Sequence, residues 1–149
     1  MDSSKKLEAL ESSAIQFHIS MLQGIINRMA ANSANCKNWT VTLVAAMLVL
    51  LVDKEMQLSN ACLCLIPVCL LYLLDCYYLG LERAMIKSQK DFLDKLSKDD
   101  TYVDLIYRVK NIGGRCIQLR NTIKAMCSPS TTLFYLIVAL VVLFFGNII

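Results

Sequence analysis

The side chains able to do chemistry in this chain are few, and the most informative is Asp75, set in the run Leu73-Leu74-Asp75-Cys76-Tyr77-Tyr78. A carboxylate among such neighbours is costly in hydrocarbon, so it must face protein or water and find a partner. Tyr77, Tyr78, Arg83 and the Asn27-Arg28 pair are the candidate partners within reach of a short helical excursion. Two readings follow: a structural ion pair at headgroup level, or a polar group lining a conduction path or gate. A second polar cluster, Asn32-Ser33-Ala34-Asn35-Cys36-Lys37-Asn38-Trp39-Thr40, precedes an apolar stretch. Its Trp39 suits a membrane interface and Lys37 can snorkel. If subunits ring an axis, Asn32, Ser33, Asn35, Asn38 and Thr40 bring amides and hydroxyls to the inner mouth of a pore, where such groups replace hydration water; otherwise the stretch is an ordinary helix junction. A third set is basic: Arg108, Lys110, Arg115, Arg120 and Lys124, with Arg28 upstream. Such residues bind anionic lipid headgroups or an anionic nucleotide or oligonucleotide.

The rest of the inventory argues against catalysis. The chain has one histidine, no Gly-rich phosphate loop and no Ser-His-Asp set. His18 lies ten residues before Arg28, which is not one face of a helix, so an RNA-cutting Arg/His pair would have to form between elements or subunits. The seven cysteines lack paired metal-ligand spacing, and Cys62-x-Cys64 is too tight for a zinc site, so they read as small apolar fillers and no cofactor is expected.

The elements that must position these groups are membrane helices. With 56% hydrophobic and 18% charged residues among 149, and a mean hydropathy of +0.52, the chain is more apolar than an ordinary water-soluble domain of its size. The opening Met-Asp-Ser-Ser-Lys-Lys lacks the order of a secretory signal, so the segment is expected to be retained. Spans are predicted at 38–52, short for the roughly 20 residues a bilayer needs, at 58–81, with Pro67 inside it, and at 130–149, with Ser128-Pro129 marking the break before it. The connector 53–57 holds one lysine. The segment 82–129 holds Arg83, Lys87, Lys90, Lys95, Lys98, Arg108, Lys110, Arg115, Arg120 and Lys124. By the positive-inside rule that segment and the N-terminus are cytoplasmic and the C-terminus is outside.

Two cytoplasmic parts complete the expected all-α architecture. Within 1–37, Ile15, Ile19, Leu22, Ile26 and Met29 form one stripe of an amphipathic helix. Residues 82–96 extend the second span, and Tyr102, Leu105, Val109, Ile112, Cys116, Leu119, Ile123 and Met126 trace a coiled-coil seam on the return leg of a helical hairpin, interrupted by Gly113-Gly114. A narrow seam on so small a protein favours a homo-oligomer.

The run Gln23-Gly24-Ile25-Ile26-Asn27-Arg28-Met29-Ala30-Ala31-Asn32-Ser33, followed by Lys37-Asn38-Trp39-Thr40-Val41-Thr42-Leu43-Val44, resembles small bacterial membrane proteins with a GIINRMA-x-NS…K-x-W-x-x-TLV signature associated with phage-defence loci. The resemblance covers about the first third of the chain. It implies a neighbour of channel-type defence effectors or type VI-B CRISPR membrane accessories: an oligomeric ion channel that depolarises an infected cell. Such a channel would be gated from the cytoplasm by a nucleotide-type ligand, a nucleotidyltransferase or an RNA-targeting effector. The competing expectation is a non-conducting membrane adaptor that docks a soluble defence partner.

Overall fold

The computed structural model describes residues 11–53, 58–98, 106 and 114–148, with side-chain environments for 11–50, 64–96, 106, 114 and 117–145. Among the described residues there are four helices: α1 (Ser13–Asp53), α2 (Leu58–Lys98), α3 (Arg115–Met126) and α4 (Pro129–Ile148). No strand occurs among them, as the sequence pattern required.

The sequence separates an amphipathic helix from a first span, whereas the structure joins them in α1, which runs for 41 residues. Nothing between Gly24 and Asp53 can end a helix: there is no proline or further glycine. The polar residues of 32–42 are accommodated within it. Thr40 Oγ1 donates to the Cys36 carbonyl at 2.7 Å and Thr42 Oγ1 to the Asn38 carbonyl at 3.0 Å, so these hydroxyls are satisfied one turn back. The junction expected at 32–38 is therefore ordinary helix. In α2, also 41 residues and containing Pro67, the extension past Glu82 is as expected.

α1 and α2 pair antiparallel along their lengths. Ile15 meets Phe92 and Leu96 at one end, Leu22 and Ile26 meet Met85 further along, and Val44 meets Cys64 and Val68 at the other end. The inner row of α1 is Ile15, His18, Leu22, Ile26, Ser33, Cys36, Thr40 and Val44, all buried. These recur at steps of three or four residues, with one two-turn step of seven from Ile26 to Ser33, the period of an α-helix face. α4 completes the apolar end, with Tyr135 and Val142 in the same cluster as Val44, Cys64 and Val68. At the opposite end Ile106 packs against the Ile15, Phe92 and Leu96 cluster. α2 is thus the element on which the other helices lean.

The return leg differs from expectation. Gly114 has φ −61° and ψ 169°, an extended conformation, and caps α3, which starts at Arg115. A continuous helix through 102–126 is therefore excluded at Gly114, and the seam positions from Tyr102 to Val109 and Ile112 lie outside the described residues. Of the remaining seam positions, Leu119 and Ile123 point away from the protein, 62% and 54% exposed. Pro129 opens α4 as predicted.

Among the described residues one stretch, Cys64–Leu96, is long and apolar enough to cross a membrane. The pair Ile117–Met126 and Pro129–Phe145, bent by 62°, passes together as a second. The outward surface of α4, with Leu133, Leu136, Ile137, Leu140 and Phe144 exposed, matches what hydrocarbon covers.

Candidate functional site

Where the apolar half of the α1–α2 pair gives way to its more polar half, the register brings Ser33 and Lys37, one turn apart on α1, opposite Asp75 on α2. Asp75 is fully buried. Ser33 donates a hydrogen bond to its Oδ1, the Lys37 ammonium lies 2.7 Å from its Oδ2, and Lys37 also donates to Ser33 Oγ at 3.2 Å. Oδ2 receives no well-directed hydrogen bond, so Lys37 meets it as a point charge rather than along a lone pair. Lys37 keeps 27% of its side chain exposed, which leaves the ammonium in touch with the outside while its stem covers apolar surface.

This settles where Asp75 points. Its partners are Lys37 and Ser33, not Tyr77, Tyr78, Arg83 or Asn27-Arg28. Arg83 instead donates to Ser128 Oγ at 2.9 Å. Ser128 carries the first carbonyl of α4, accepting from Thr132 N at 2.9 Å. The elbow between α3 and α4 is held from two further directions. The Met126 carbonyl, left over at the end of α3, accepts from Tyr72 OH at 3.1 Å and from Thr132 Oγ1 at 2.6 Å, which satisfies a helix-terminal group that would otherwise be orphaned. Tyr135 OH donates to the Leu71 carbonyl at 3.3 Å. Gly80 allows α3 to close on α2: a Cβ there would sit 3.1 Å from backbone atoms of Asn121 and Thr122.

The polar cluster ahead of the first predicted span divides between two faces. Ser33 and Thr40 turn inward with Asp75, Asn32 is half-buried, and Asn35 and Asn38 turn outward. The outward pair belongs to a longer row that the sequence reading missed: Ser20, Gly24, Asn27, Ala31, Asn35, Asn38, Thr42 and Ala45 follow one another every three or four residues on α1, and every one is exposed. The signal was present in the sequence as a second periodicity, offset from the stripe of Ile15, Leu22 and Ile26, but it is written in small and amide residues that a search for apolar stripes passes over. At its N-terminal end the row borders a shallow hollow of about 480 Å³ lined by Gln16, Ile19, Ser20, Gln23, Gly24 and Asn27.

Of the basic candidates, Arg120 and Lys124 stand exposed one turn apart on α3, and Arg28 is exposed on α1. Arg115 begins α3; Arg108 and Lys110 lie outside the described residues. His18 is buried against Phe92, ring centroids 4.5 Å apart, and burial lowers its pKa.

No family model, curated protein or solved structure matches this chain.

Proposed function

We propose that this chain is a three-span protein of a bacterial inner membrane, N-terminus inside, that assembles with copies of itself around an ion-conducting path lined by the outward row of α1. The spans are the apolar half of α1, the apolar half of α2, and α4. The row carries the reading. At membrane depth, amide and hydroxyl side chains turn toward protein or water rather than lipid, and Asn35, Asn38 and Thr42 are presented on the exposed side of α1 while Trp39 beside them, 62% exposed, marks the interface. Small residues between them permit close approach of neighbouring helices. Asp75 serves this assembly as an internal brace, not as the lining group.

Control from the cytoplasmic side, by a nucleotide-type ligand or a defence partner, is the role implied by the resemblance to phage-defence membrane proteins. A second reading, the non-conducting adaptor, is favoured by one dimension: helices of 41 residues are about 60 Å long, twice the hydrocarbon thickness, so half of the α1–α2 pair extends beyond the bilayer as a stalk able to dock a partner.

Single-channel recording from the purified full-length protein in a planar bilayer separates the two. Discrete steps are expected, with Asn38→Leu and Thr42→Leu together reducing or abolishing unitary conductance while Asp75→Asn leaves it unchanged. A silent bilayer with verified insertion selects the adaptor.

A further inference from the structure

α3 is arranged the wrong way round for a helix in water. Along most of its length the half-buried residues are polar, Gln118, Asn121 and Thr122, with apolar Ala125 and Met126 turned inward only at its last turn, and the backbone at Asn121 and Thr122 presses on Gly80 of α2. Its branched apolar residues Ile117, Leu119 and Ile123 are exposed, 43%, 62% and 54%, and the exposed residues interleaved with them are Arg120 and Lys124. A helix whose large apolar side chains face out beside two cations matches a headgroup boundary, where the apolar groups enter the acyl region and the cations meet phosphate.

The attitude of the helix agrees. The break at Cys127 and Ser128 bends α3 by 62° from α4, so with α4 across the bilayer α3 lies nearer the membrane plane than its normal. The elbow is fastened to α2 through Tyr72 and Arg83 and closed across the bend by Thr132 of α4, which fixes that attitude. From the reversed amphipathicity, the bend and the charge pattern, we infer that α3 is an interfacial helix that seats Leu119 and Ile123 in the cytoplasmic leaflet and binds anionic phospholipid headgroups through Arg120 and Lys124.

The inference rests on the membrane part of the proposed function and not on conduction. Each basic residue near an anionic surface contributes about a fivefold preference, so Arg120 and Lys124 together predict an anionic over zwitterionic selectivity of about 25-fold. The test is the full-length protein carrying Trp39→Phe and Ile123→Trp, reconstituted in phosphatidylcholine vesicles with increasing phosphatidylglycerol, either lipid being brominated in turn. Vesicle flotation and resistance to carbonate extraction establish membrane residence separately. The expected result is strong quenching of the introduced indole by brominated lipid, with phosphatidylglycerol preferred, and loss of that preference with Arg120→Glu and Lys124→Glu. In vesicles shown to hold the protein, an indole quenched by aqueous acrylamide and not by brominated lipid overturns the inference. So does quenching that is equal for both lipids and indifferent to charge reversal. Failure of flotation overturns the membrane reading itself.

Discussion

Replacing Lys37 by Met removes the counter-charge of Asp75 and retains the length and apolar character of the stem. At 2.7 Å, two unit charges attract by about 6 kcal/mol with an effective permittivity of about 20. The desolvation of a carboxylate with no exposed surface offsets part of this, and breaking a buried pair from one side costs about 3–5 kcal/mol because the remaining charge stays behind. The two partners are unequal, since Lys37 retains access to the outside and Asp75 does not. Lys37→Met should therefore be the more damaging single change, and Asp75→Asn the milder one. Adding Asp75→Asn to Lys37→Met should recover much of the loss, because a neutral amide can keep the Ser33 contact with no charge to compensate. Thermal unfolding in detergent, followed by circular dichroism, reads the cycle: Lys37→Met should lower the midpoint by about 10 °C, at the usual 2–4 °C per kcal/mol for a chain of this length. A Lys37→Met protein within 1 °C of the parent, or a double variant no better than the single, would refute the argument that Asp75 is held as a buried, paired carboxylate.

Ser33→Ala removes a hydrogen bond to a charged acceptor and should cost about 1.5–3 kcal/mol in the same assay, whereas Asn35→Ala, on the exposed face, should cost under about 0.5 kcal/mol. Gly80→Leu should displace α3, since the atoms in its way are backbone and cannot swing aside; hydrogen exchange at 115–126 should accelerate while exchange at the Leu22, Ile26 and Met85 cluster stays slow. His18 has a pKa below that of an exposed imidazole because it is buried, so the folded state binds fewer protons than the unfolded state as pH falls through the ordinary histidine range. Stability is then fully present above about pH 6.5 and declines below it, and His18→Phe should flatten that decline in a pH series of unfolding midpoints.

Helix content and the continuation of α2 past Glu82 were legible because hydrophobic period and length are local properties of the chain. The start of α4 was legible for the same reason, Pro129 being a local signal. Three features were not. The continuity of α1 was hidden because the short apolar run at 38–52 and the polar residues before it suggest a junction, whereas back-bonded threonines and an inward Ser33 let the helix pass through. The partner of Asp75 was hidden because Lys37 is far away in sequence, and only the antiparallel register of two long helices brings it near. The outward turn of Leu119 and Ile123 was hidden because their spacing is helical whichever side of α3 meets α2, and spacing does not record Gly114 turning to an extended conformation. The polar candidates were legible as one cluster in the sequence, but the division of Ser33 and Thr40 from Asn35 and Asn38 depends on which side of α1 meets α2.

The unbroken run of α1 from Ser13 to Asp53 has a mechanical consequence. Braced along its length by an antiparallel mate, it behaves as a girder: a load applied near Ile15 and Phe92 reaches the Val44 end as tilt or rotation of the whole pair, not as a local bend that dies out along the way. Whatever touches the Ile15 tip of this rod also turns the face that carries Asn38 and Thr42, so position at the one end sets orientation at the other.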